Sequence, residues 1–96
     1  MAMVMTVLSA QVPAEKWPEM VAMYQEGSKH KPPQLVQGFL VQSSEDPTYW
    51  RTVCIWQSPE ALEEYHASGQ PGGVQMFRSV GAEPTEEKFG VAHQMG

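Results

Sequence analysis

Residues 3 to 11 are rich in Val, Met, Thr and Leu, a β-prone run stopped by Pro13. From residue 14 the period changes. Trp17, Met20, Val21 and Tyr24 fall at i, i+3, i+4 and i+7, one face of a helix. Pro18 suits its first turn, where a missing N–H goes unnoticed, and Gly27 and then Pro32-Pro33 end it. "LVQGFLVQSS" (35 to 44) and "YWRTVCIWQ" (49 to 57) read as strands. Between them, "EDPT" offers an Asp that folds back on its own backbone and a Pro that fixes φ, so the pair is a predicted hairpin. A second helix is predicted from Ser58 as N-cap, with Pro59 at its first position and Glu60 favouring the positive end of the dipole. It runs to about Ser68, where Gly69 stops it. Four Gly and two Pro make residues 69 to 87 mostly loop, with one short helical turn around Val74 to Ser79. "KFGVAHQM" (88 to 95) alternates as a last strand.

The order β-α-β-β-α-β predicts an α+β, ferredoxin-like fold: a four-stranded antiparallel sheet with two helices on one face. That arrangement leaves the other face bare. In the third strand Trp50, Thr52, Cys54 and Trp56 share one face, and Tyr49, Arg51, Val53 and Ile55 share the other. In the first, Met3, Met5 and Val7 oppose Val4, Thr6 and Leu8. A solvated face should be polar and neither is. The expectation is a homodimer closed through the bare sheet face, by two-fold symmetry.

Length agrees with that expectation. The 96 residues make a single domain (1–96), whose core is thin enough that association would add useful burial. The apolar fraction, 42%, is that of a folded chain. Charge narrows the partners. Eleven acids against six bases give −5, and only Lys29 and Lys31, around His30, lie close together. Neither a nucleic-acid backbone nor an anionic membrane is an expected partner. The single Cys54 excludes an intramolecular disulfide and fits a reducing cytoplasm. The apolar start lacks the basic head of a secretion signal and is too short to span a bilayer.

"GFLVQSSEDPTYWRTVCIWQSPEALEEYHAS" (38 to 68) resembles the antibiotic biosynthesis monooxygenase (ABM) domain, one of the dimeric α/β-barrel families. The matching pieces are Gly38 after the prolines, Trp56 closing the third strand, and the "WQSPEAL" run that opens the second helix. The resemblance implies a small-molecule pocket between sheet and helices. It also implies a family of mixed chemistry: cofactor-independent oxygenases of quinols and anthrones, haem-degrading enzymes, isomerases and proteins of other roles. Haem-degrading relatives carry an Asn in the first strand and a His after the second helix. "MVMTVLSAQV" and "PGGVQMFRSV" hold neither, so haem degradation is not expected, and the cofactor-independent reading implies no cofactor.

Each candidate residue has two readings. Trp56 is a core anchor under Ala61, Leu62 and Tyr65, or a pocket wall as the matching Trp is in similar enzymes; the two are compatible. Trp50 and Trp56, with Thr52 and Cys54 between, either interlock or frame a cavity. Cys54 itself, mid-strand between Val53 and Ile55, is expected to be a buried and unreactive thiol. His66, in the last turns of the second helix, is a half-exposed residue at the negative dipole end or the general base of a reaction. His93 is an interface residue or a pocket residue. Phe77 and Arg78 belong to a surface loop or to a lid over a ligand. The three histidines have no metal-binding spacing, so no metal is expected. The leading functional expectation is a homodimeric, cofactor-independent monooxygenase of a phenolic or quinol-type molecule. In it His66 is the base, and Trp50, Trp56, Tyr65, Phe77, Arg78 and His93 contact the substrate. The alternative is a non-catalytic dimer that binds a small apolar molecule.

Overall fold

The computed structural model describes residues 3–69 and 71–96, so the first two residues of the apolar start and Gln70 of the Gly/Pro-rich segment lie outside it. Strand β1 (Val4–Gln11) leads through a 3-10 turn (Ala14–Lys16) into helix α1 (Trp17–Ser28). Strands β2 (Leu35–Gln42) and β3 (Tyr49–Trp56) form the predicted hairpin. Its turn is held as the sequence suggests: the Thr48 N–H and O–H both donate to the Asp46 carboxylate, at 3.2 and 2.7 Å. Helix α2 (Pro59–Ala67) starts on Ser58, whose Oγ accepts the Ala61 N–H at 3.1 Å. The four strands form one antiparallel sheet in the order β2-β3-β1-β4, the ferredoxin-like arrangement, and the sheet is open rather than closed.

Two boundaries differ from the sequence reading. Residues 72–79 form a third helix, α3 (Gly72–Ser79), where one short turn was expected. Its glycines obscure it, but Met76, Phe77 and Val80 form an i, i+1, i+4 apolar face that is fully buried. The last strand, β4 (Thr85–Gly90), begins three residues earlier than the alternation of 88–95 suggests, and residues 91–95 lie beyond it. Pairing with β1 decides this. Thr85 to Gly90 run opposite Ser9 to Val4, and an exposed edge strand accepts the charged "TEEK" that its sequence carries.

The register sets the two faces. Thr6, Leu8 and Ala10 of β1 stand opposite Cys54, Thr52 and Trp50 of β3, on the side the helices cover. Met20, Phe77 and Val12 fill the centre of that core and are at most 1% exposed. On the other side lie Met5 and Val7, Phe39 and Val41, Val53 and Ile55, and Phe89. Phe39, Val41 and Phe89 are 46%, 41% and 47% exposed. No helix among the described residues is long and apolar enough to cross a membrane.

Candidate functional site

Between the sheet and the helices lies a cavity of about 240 Å³. Its floor crosses all four strands: Gly38 of β2, Thr52, Cys54 and Trp56 of β3, Thr6 and Leu8 of β1, and Glu86 of β4. Its roof comes from Met23 and Tyr24 of α1, Tyr65 and His66 of α2, and Gly72, Gly73 and Met76 of α3, with Lys31 and Pro32 from the α1–β2 connection. Strand pleat explains the floor, because only every second residue of each strand faces the helices.

Trp56 closes β3, where the chain turns sharply into α2. Its indole N–H donates to Thr6 Oγ1 on the neighbouring strand at 2.9 Å, and its ring lies 4.8 Å from that of Tyr65. The Tyr65 oxygen in turn accepts the Gly72 N–H at 2.9 Å, tying α2 to the start of α3. The anchor and wall roles of Trp56 are thus served by one side chain. His66 follows Tyr65 at the end of α2, half-buried, with its ring centroid 6.0 Å away.

Two ionisable groups in the cavity are held in their neutral forms. Burial pushes the Cys54 thiol above its ordinary 9.0, and a hydrogen bond from Thr6 opposes the shift. Burial first, and the neighbouring Cys54 second, raise the Tyr24 phenol above its ordinary 10.0. A protonated thiol in an apolar wall is a poor nucleophile, although Cys54 is half-buried rather than buried as the sequence suggests.

Of the residues nominated from the sequence, Trp56, Tyr65 and His66 come together around this cavity, and four others sit elsewhere. Trp50 is 6% exposed and packs edge-on against Trp17 at 5.8 Å, in the core at the other end of β3. Phe77 is completely buried in that core. Arg78 pairs with Glu83 on the surface at 2.9 Å, an arrangement that raises the Arg and lowers the Glu pKa. His93 is exposed beyond β4. The cause is α3. As a loop, residues 69–87 would let Phe77 and Arg78 lie over the sheet. As a helix, they point Phe77 inward and Arg78 out.

Neither a family model nor a curated protein sequence matches the chain. Solved structures do. A provisionally named antibiotic biosynthesis monooxygenase from Caulobacter crescentus aligns with a TM-score of 0.74 at 18% identity, over 96% of this chain and 92% of its own. SnoaB from Streptomyces nogalater, a cofactor-independent oxygenase, aligns with a TM-score of 0.66 at 17% identity, over 98% and 95%. A haem-degrading protein of Mycobacterium tuberculosis aligns with a TM-score of 0.75 at 18% identity, over 99% and 97%. The chain has the ABM fold. The likeness spans nearly its whole length, including the third helix that the sequence concealed.

Several lining residues of this ABM-fold cavity were not singled out as site residues. Tyr24 lies on the apolar stripe of α1, and its hydroxyl sits 3.1 Å from where a Cβ at residue 38 would stand, so Gly38 makes room for it. Gly73 brings α3 so close to the sheet that a Cβ there would meet Leu8 Cδ1 at 2.8 Å and Thr52 Oγ1 at 3.3 Å. Paired glycines before "VQMF" were the available signal; a close backbone approach is one of the few reasons to put glycine inside a helix. Among the described residues, no cluster of three or more His, Cys, Asp or Glu could hold a metal ion.

Proposed function

We propose that this protein is a cofactor-independent oxygenase of a small phenolic or quinol-type molecule, acting as a homodimer. The observation that carries the reading is the largely apolar cavity of about 240 Å³, walled by Trp56 and Tyr65 and lined by a single histidine, His66. That volume suits a one- or two-ring molecule, and the aromatic wall suits its faces. SnoaB, with the same fold, is a cofactor-independent oxygenase.

In the proposed reaction His66 takes the phenolic proton. The resulting anion, more electron-rich than the phenol, passes an electron to O₂, and recombination forms a ring C–O bond as a hydroperoxide. Loss of water then gives the quinone. One O₂ is consumed per substrate, one of its atoms entering the product and the other leaving as water. The substrate supplies all the electrons, so no cofactor is required. Exclusion of bulk water protects the anion and strengthens each polar contact made to it.

The dimer reading rests on the uncovered face. Phe39, Val41 and Phe89, with the half-buried Met5, Val7, Val53 and Ile55, form an apolar surface on one side of a single sheet. A second copy packed sheet to sheet, about 10 Å away, would cover it and build the two-sheet barrel implied by the resemblance.

The functional reading is tested by oxygen uptake with a panel of hydroquinones. Wild-type protein is expected to consume O₂ with release of the corresponding hydroxyquinone, which carries one oxygen more than the simple quinone, and His66→Ala to lose on the order of 10²-fold or more in rate. Equal and negligible uptake by both rejects the oxygenase and leaves the non-catalytic binding dimer.

A further inference from the structure

The floor of the cavity contains a polar group that the proposed proton transfer does not use. Among the described residues, the Trp50 indole nitrogen is the one fully buried side-chain polar atom without a partner. Thr52 is 2% exposed, and its hydroxyl, which makes no hydrogen bond to another described residue, stays open to the cavity. Its Oγ1 faces Gly73, in the first turn of α3, and both residues line the cavity. That turn carries N–H groups with no acceptor inside the helix, and Pro71, its N-cap, supplies no side-chain cap. Tyr65 adds a further donor: its oxygen accepts from Gly72, which leaves its own proton available to the cavity. Around one spot the chain therefore gathers two hydroxyls and the positive end of a helix dipole. Glu86 is the opposing charge on the lining, but it is exposed to solvent, which screens it.

We infer that Thr52 Oγ1, the Gly73 and Val74 N–H groups in the first turn of α3 and the Tyr65 hydroxyl form a receptor for one oxyanion of the ligand, the phenolate oxygen of a small aromatic. The inference rests on the phenolic-substrate reading above and assigns an orientation within it. The ionised oxygen sits against α3, and the ring lies over Trp56. Donors fixed in place before the proton leaves would favour the anion over the parent phenol.

The test uses 4-nitrophenol, whose phenolate has its own absorbance band, and 4-nitrotoluene, in which a methyl replaces the hydroxyl. Wild-type protein is expected to bind the phenolate on the order of tenfold more tightly than the neutral phenol, and so to lower the ionisation midpoint of the bound phenol, and to bind it more tightly than 4-nitrotoluene by a similar factor. Thr52→Val keeps the side-chain shape and should weaken phenolate binding about tenfold, moving the midpoint back, with 4-nitrotoluene unaffected. Thr52→Ser, which restores a hydroxyl, should bind the phenolate nearly as wild type does. The inference is overturned if wild type does not prefer the phenolate, if Thr52→Val weakens both ligands alike or neither, or if Thr52→Ser behaves like Thr52→Val. Phenolate preference without oxygen uptake would uphold the receptor and reject the oxygenase, so the two can fail separately.

Discussion

Trp50 and Trp56 stand six residues apart on one strand face, nearly equally buried, yet their indole N–H groups have opposite fates. That of Trp56 is paired with Thr6, whereas that of Trp50 is buried with no partner among the described residues. Replacing either by Phe removes similar apolar area, so the polar atoms decide the difference. Trp56→Phe also deprives the Thr6 hydroxyl of its donor; Trp50→Phe deletes a group that was already unsatisfied. Urea unfolding should find Trp56→Phe less stable than Trp50→Phe by about 1–3 kcal/mol. A second residue-scale expectation concerns Cys54 and Tyr24, whose folded pKa values are raised by burial. Both favour the fold while protonated in the unfolded chain as well. As pH climbs past 9.0 the unfolded thiol begins to ionise while the folded one does not, and stability falls; Tyr24 adds to the loss above 10.0. Cys54→Ala should flatten the first part of this alkaline decline in a pH series of thermal unfolding. An unaltered profile would contradict the assigned burial.

Among the elements, α3 has the largest consequences for the site. It buries Phe77, exposes Arg78 and sets its first turn on the cavity floor. Glycine at 73 permits that approach, and Gly73→Ala tests how tightly it is held. Alanine favours the helix by roughly 0.5–1 kcal/mol, but its Cβ would overlap Leu8 Cδ1 at 2.8 Å. That atom ends a flexible side chain beside an open cavity, so Leu8 can turn into the space. Global stability should therefore change by less than about 1 kcal/mol, and ligand binding should fall as the cavity shrinks. Unfolding midpoints and 4-nitrotoluene titrations measure the two effects. A large loss of stability would mean that α3 cannot yield and that Leu8 is locked. The "EDPT" turn, by contrast, was legible residue by residue, because Asp46 and Thr48 satisfy each other within three positions.

At the scale of the molecule, one sheet face is covered by three helices and the other by none of the described residues. Were the protein monomeric, Phe39, Val41 and Phe89 would remain in water at nearly half exposure. Sedimentation at micromolar concentration should find a dimer, and Val53→Asp, which places a charge amid this face, should give a folded monomer. Wild-type monomers would overturn the proposed assembly while leaving the cavity on the opposite face intact.

Strand order, the first two helices, the hairpin, the Ser58 cap and the two-faced apolar sheet were decided by the sequence alone, because each depends on contacts between near neighbours or on simple periodicity. The same periodicity placed Trp56, Tyr65 and His66 at one corner. What only the tertiary structure decided was which polar groups meet across elements. Pairing with β1 moved the last strand to Thr85–Gly90, and packing turned a glycine-rich segment into α3. Thr52 and Gly73 are separated by a hairpin strand, a helix and a loop; no local pattern ties them, and only folding puts an unpaired hydroxyl beside a helix start.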